Sequence, residues 1–230
     1  MATYKEIHGV KVQYRDSDAT AIEGDVWYNA STGKLKMYSA VGAWASGTAI
    51  NTGRAGGVGQ GTTTAALFEG GGPADTESWD GSSWTEVANL NTARAENSGA
   101  GTQTAALFFG GKPSPGYTEI WNGASWTEVA DLTTGRFTQA GFGITTAAMC
   151  VGGEVSDAVS AIAETFDGSS WTEGADLNTA RVGQTGFGTT AAAICASGGE
   201  PAYNANVESW DGSSWTEVGN QNTGRKDCQQ

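Results

Sequence analysis

Few side chains in this sequence can do acid–base or nucleophilic chemistry, and most of those recur at fixed intervals. The one histidine, His8, lies in the opening segment and belongs to none of the intervals. Ser/His/Asp and Cys/His constellations and a histidine metal site are therefore excluded as repeated devices, because each needs a base within hydrogen-bond reach of its partner. The three cysteines, Cys150, Cys195 and Cys228, are odd in number and form no CxxC pair, which predicts neither a zinc site nor a disulfide framework. Cys150 and Cys195 fall in the equivalent apolar runs AAMCVGG and AAAICASGG, where a free thiol behaves as a small buried hydrophobe. Asp80, Asp167 and Asp211 each open an Asp-Gly-Ser-Ser stretch. One carboxylate per turn is a poor calcium site, since that ion takes about six to eight oxygens.

What remains is a ladder of arginines and glutamates. Arg54, Arg94, Arg136, Arg181 and Arg225 alternate with the pairs Glu77/Glu86, Glu119/Glu128, Glu164/Glu173 and Glu208/Glu217. An arginine that begins a buried strand must find acceptors. Backbone carbonyls or a glutamate of the adjoining unit are the expected partners, and anion binding along a common axis is the alternative. No catalytic, cofactor-binding or metal-binding residue can be named, no binding residue is singled out, and a non-enzymatic chain without a cofactor is expected.

The spacing also identifies the elements that hold these residues. The arginines recur at 40, 42, 45 and 44 residues, and Trp44, Trp84, Trp126, Trp171 and Trp215 repeat the same four intervals. A unit of this length cannot bury its own faces and must stack on copies of itself. Asn91 to Leu132 shows the pattern in full: NTARAENSGAGTQTAALFFGGKPSPGYTEIWNGASWTEVADL. Four strands are predicted in it. Ala95–Thr102, made almost wholly of small residues, suits an innermost strand where units crowd together. Gln103–Phe109 is a continuous apolar run suited to a strand covered on both faces. Thr118–Trp121 and Ser125–Ala130 form a hairpin. In the preceding unit a Gly81-Ser82 turn places Trp79 opposite Trp84 and puts Glu77 and Glu86 on the same face. Trp121/Trp126, Phe166/Trp171 and Trp210/Trp215 repeat the arrangement. These aromatic pairs are expected to fill the wedge between units, with sugar stacking as the alternative.

The series Arg, Gly-Gly, aromatic, Trp resembles the Kelch β-propeller repeat over residues 51 to 225. Its wording, Asn-Thr-Ala-Arg, Gly-Thr-Gln-Thr-Ala-Ala-Leu and Asp-Gly-Ser-Ser-Trp-Thr, is similar to Kelch-like repeats in virion proteins of marine bacteriophages. Residues 23 to 48 contain Gly-Asp-x-Trp-Tyr-Asn, Gly-Lys-Leu and Gly-x-Trp, and resemble a short module found near the start of phage tail-fibre proteins. The likeness of SWDGSSW to the Asp-box of sialidase-like propellers fails, because no residue separates Asp from Gly. The resemblance implies an all-β, five-bladed Kelch-like propeller in a virion protein of a tail appendage or capsid surface, assembled in the host cytoplasm. Other virion proteins, or a host-surface glycan or protein, are the implied partners. A glycan-binding lectin and an intracellular Kelch adaptor are the alternatives.

Composition agrees with turn-rich β structure: 35 glycines but only 4 prolines in 230 residues. The net charge of −13 argues against a nucleic-acid surface, which needs clustered Lys or Arg. No apolar segment follows MATYKEIHG and no apolar run reaches 18 residues, so neither an export signal nor a membrane span is expected. Residues 1–22 match no unit and are expected to form an arm. The units are about 23–50, 51–90, 91–132, 133–177 and 178–221. Residues 23–48 lack an inner strand, and Asn222–Arg225 begins a further copy. Residues 224–230 are therefore expected to close the ring as the inner strand of the blade formed by Asp25–Tyr28, Lys34–Tyr38 and Ala43–Ser46. A four-bladed ring with residues 1–48 as a stalk is the alternative. Variable loops after the Gly pairs, Lys112–Tyr117, Glu154–Ile162 and Glu200–Ala205, are where specificity would sit.

Overall fold

The computed structural model describes residues 13–15, 26–37, 47–113, 116–199 and 202–225. The chain divides into two compact units, Met1–Gly47 and Thr48–Gln230. No helix occurs among the described residues.

The first unit holds a three-stranded sheet of β1 (Gln13–Arg15), β2 (Val26–Asn29) and β3 (Lys34–Met37). β2 and β3 are the expected hairpin, with Asn29 paired to Lys34. The Asn29 carboxamide oxygen accepts from Thr32 N at 2.9 Å, and this bond fixes the turn. Gln13–Arg15, within the residues expected to form an arm, pairs in parallel with β2. The third expected strand, Ala43–Ser46, lies outside the described residues, as do residues 226–230 of the closing strand.

Among its described residues the second unit holds four sheets of four strands, each an antiparallel meander in chain order. Blade 1 is β4 (Gly57–Thr62), β5 (Ala65–Gly70), β6 (Thr76–Trp79) and β7 (Trp84–Glu86). Blade 2 is β8 (Ser98–Thr102), β9 (Ala105–Phe109), β10 (Thr118–Trp121) and β11 (Trp126–Glu128). Blade 3 is β12 (Ala140–Ile144), β13 (Ala147–Val151), β16 (Ala163–Phe166) and β17 (Trp171–Glu173), with a small hairpin of β14 (Glu154–Val155) and β15 (Ala158–Val159) inserted. Blade 4 is β18 (Thr185–Gly188), β19 (Ala193–Ala196), β20 (Val207–Trp210) and β21 (Trp215–Val218). The architecture is all-β and propeller-like.

Period-2 alternation in each second strand assigns its residues to opposite interfaces. In β9, Ala106 and Phe108 pack with Leu67 of blade 1, whereas Leu107 and Phe109 pack with Ala148, Cys150 and Trp171 of blade 3. Met149 and Val151 of β13 then meet Ala193, Cys195, Trp210 and Trp215 of blade 4. The hairpin registers are those expected: Trp79 opposite Trp84, Trp121 opposite Trp126, Phe166 opposite Trp171 and Trp210 opposite Trp215. Ring centroids within these pairs lie 5.3, 5.4, 5.1 and 5.3 Å apart. Their indoles reach across blades, with Trp126 Nε1 donating to Thr76 Oγ1 at 3.1 Å and Trp171 Nε1 to Thr118 Oγ1 at 3.0 Å. The small residues of the inner strands have the same logic. Gly99 of β8 lies so close to the Gln60 side chain of blade 1 that a Cβ would collide with it.

Candidate functional site

The arginine–glutamate ladder is the most regular polar feature, and it lies inside the blades. Arg54 meets Glu77 at 3.0 Å, Arg94 meets Glu119 at 2.7 Å and Arg136 meets Glu164 at 3.0 Å, all nearly without exposure. Arg181 pairs with Glu208 in the same way. Each of these four arginines pairs within its own blade, which corrects the expectation of a glutamate from the adjoining one. The reason is the path of the chain. The segment that enters each inner strand first crosses the outer hairpin of its own sheet, where Asn91 N donates to Glu119 Oε2 at 2.8 Å and Thr133 N to Glu164 Oε2 at 2.7 Å. One carboxylate thus ties the entering segment and the guanidinium together. Arg94 also donates to the carbonyls of Gly110 and Tyr117, as expected of a buried cation. The link between blades runs through the arginine main chain instead. Gly71 N donates to Arg94 O, Gly111 N to Arg136 O, Gly153 N to Arg181 O and Gly198 N to Arg225 O. Arg225 therefore stands where a following unit would begin.

The second glutamate of each pair sits directly across the hairpin, Glu128 opposite Glu119, but is exposed. Like charges opposite each other are tolerable here because the buried member is neutralised by its arginine.

The Asp-Gly-Ser-Ser turns satisfy themselves. Asp80 Oδ1 accepts from Ser82 N and Ser83 N, both at 2.8 Å, and Asp167 and Asp211 repeat this. These bonds hold each of the three carboxyls down at about 2. Their acceptor capacity is directed inward, and no group of three or more metal-ligating side chains occurs among the described residues. Burial pushes the Cys150 thiol up to about 11 and the Cys195 thiol up to about 12, which makes them poor nucleophiles. His8 and Cys228 lie outside the described residues.

Two polar features escaped the sequence reading. The first is a set of carboxamides three residues after the blade-opening arginines. Gln139 Nε2 donates to Phe109 O at 3.0 Å and Gln184 Nε2 to Val151 O at 2.6 Å, each reaching into the preceding blade. The signal was available, since Asn97, Gln139 and Gln184 are polar positions at the start of otherwise small strands. The second is Glu69, fully buried where Phe109, Val151 and Ala196 stand in the other blades. Its Oε1 accepts from Gln60 Nε2, its Oε2 has no partner, and desolvation raises its carboxyl well above the usual range against the opposing effect of Arg54.

The four inner strands border a cavity of about 330 Å³ lined by Gly59, Gly99, Gly141 and Gly186 together with Phe142 and Phe187. Its lining also includes the carboxamides of Gln60, Asn97, Gln139 and Gln184 and the single carboxylate Glu96, with no cluster of charge. The aromatic pairs meet the requirement for wedge packing in three blades: Trp121 and Trp126 are 3% and 6% exposed, Phe166 and Trp171 1% and 5%, and Trp210 and Trp215 7% and 6%. Only Trp79 and Trp84, in blade 1, are half-buried.

No protein-family model matches this chain, and no curated protein is detectably similar to it. Among solved structures, one described as the structure of YjhT is similar to it. The two share 14% identity at a TM-score of 0.63, over 78% of this chain and 69% of that one. At that identity the likeness is one of fold.

Proposed function

We propose that this chain is a non-enzymatic recognition and structural component of a bacteriophage particle, built as a five-bladed Kelch-like propeller. One set of observations supports the non-enzymatic part. Within the four blades the arginines sit in buried pairs, the inner glutamates act as hubs and the turn aspartates are engaged in their own turns. This leaves the exposed outer glutamates Glu86, Glu128, Glu173 and Glu217 as the repeated charged groups of the blades outside these contacts. The engaged groups are not free to face a substrate, and the outer glutamates bring no repeated base or nucleophile with them. The particle assignment rests on the wording of the repeats and on the tail-fibre-like module at 23–48. Genes for capsid and tail proteins flanking this one would uphold that assignment, and metabolic genes on both sides would remove it.

The five-bladed reading rests on Arg225. Its carbonyl and amide are already in the positions of a blade opening, accepting from Gly198 N at 2.7 Å and donating to Asn204 O at 3.2 Å. Deleting residues 226–230 leaves those bonds intact and removes only the proposed closing strand. A fall in melting temperature of several degrees is expected. An unchanged melting temperature would leave the four-bladed alternative.

A further inference from the structure

The grooves between successive blades are built to one plan but filled differently. Between blades 1 and 2 the groove is occupied by the protein itself. Gln103, in the turn after β8, sends its Nε2 across to Ser78 Oγ at 2.9 Å and Trp79 O at 2.5 Å. The position equivalent to Gln103 in blade 4 is Thr190, because both main-chain carbonyls accept the indole N–H of their own blade, Trp121 Nε1 at 3.0 Å and Trp210 Nε1 at 2.9 Å. Thr190 is too short to cross. The acceptors opposite it are still in place by register, since Thr165 and Phe166 pair with Thr172 and Trp171 as Ser78 and Trp79 pair with Thr85 and Trp84. A second difference widens the same groove. Gly174 stands where blades 1 and 2 carry Val87 and Val129, and a Cβ on it would come no closer than 3.9 Å to Ala163 O. The result is an open groove of about 580 Å³ lined by Thr146, Thr165, Phe166, Thr190, Trp210 and Ser213.

We propose that this groove receives a glutamine or asparagine side chain of a partner protein. The carboxamide would donate to Phe166 O and Thr165 Oγ1, in the way that Gln103 donates to Trp79 O and Ser78 Oγ two interfaces away. The chemistry required is that of a neutral N–H donor small enough to lie flat between two blades. Thr165 Oγ1 donates weakly to Thr172 O at 3.4 Å, which leaves its lone pairs to accept. A carboxylate would present only acceptors to acceptors and is rejected on the same geometry. This site deepens the recognition reading above and rests on it.

The test uses the full-length chain labelled with ¹⁵N and titrated with acetamide, acetate, Gly-Gln-Gly, Gly-Glu-Gly and N-acetylglucosamine. Acetamide and Gly-Gln-Gly are expected to shift the amide signals of Thr165, Phe166 and Thr190, whereas acetate and Gly-Glu-Gly leave them in place. Thr190→Gln, which refills the groove with the protein's own carboxamide, should weaken the response at least tenfold while the melting temperature holds or rises. Gly174→Val should weaken it too. No response to acetamide, or an equal response in Thr190→Gln, would overturn the proposal. A response to N-acetylglucosamine without one to Gly-Gln-Gly would overturn the peptide partner in favour of a sugar. None of these outcomes bears on where the chain sits in a particle, so the groove can fail while the particle assignment stands.

Discussion

Replacing Trp126 with alanine removes an indole that is 6% exposed and lies between blades 1 and 2. The ring stacks 5.4 Å from Trp121 and 6.1 Å edge-on from Phe108, and its Nε1 donates to Thr76 Oγ1 at 3.1 Å. Truncation of a buried aromatic costs about 3–5 kcal/mol in lost transfer energy and cavity formation, and the orphaned Thr76 hydroxyl adds to that. For a chain of this size the melting temperature should fall on the order of 6–20 °C. Trp84 holds the same register position in blade 1 but is half-buried, so Trp84→Ala should cost less than half as much. Thermal unfolding followed by near-ultraviolet circular dichroism measures both. A loss below about 1 kcal/mol for Trp126→Ala, within the range of ordinary surface substitutions and their neighbours, would refute the wedge role and expose the ring for ligand stacking. Equal losses for the two variants would refute the reasoning from burial.

Two further outcomes follow from particular contacts. Trp215 Nε1 is buried without a partner, because blade 3 carries Ala163 where blades 1 and 2 carry the acceptors Thr76 and Thr118. Ala163→Thr should therefore stabilise the chain by about 1 kcal/mol, with no change or a loss counting against it in a denaturant titration. Glu69, raised by burial from its ordinary 4.5, contributes full stability below that value, and stability declines as pH rises toward its folded value. Glu69→Gln should match the parent near pH 4 and exceed it at pH 8, and a parent curve that keeps rising between those pH values with no gain from the variant would contradict this.

How much of this was legible in the sequence depends on the kind of contact. Register and face came through, because a hairpin of fixed length leaves one choice of partner, so Trp121 opposite Trp126 and Glu119 opposite Glu128 could be read from spacing. The edges of strands were overdrawn. Ala95 to Asn97 and Gln103 to Thr104 were included in strands, but the first three lead into β8 and the last two make the turn before β9. Partner choice across space was less legible. Arg94 pairs within its own blade because the entering segment folds back over its own hairpin, and no periodicity reports that path. The carboxamides at 139 and 184 were visible as letters but not as locks, since their acceptors are carbonyls of the preceding blade. Thr190 and Gly174 gain meaning only beside Gln103 and Val87, once the grooves can be superimposed.

A chain that is the particle-borne recognition component proposed above must travel with the particle. Purified, density-banded particles from the source should be probed with antibody against residues 48–230, and the copies per particle counted by quantitative mass spectrometry. A fixed copy number that persists through repeated banding is expected, with antibody labelling at the particle surface. Particles free of the chain, with all of it recovered as soluble protein, would contradict it.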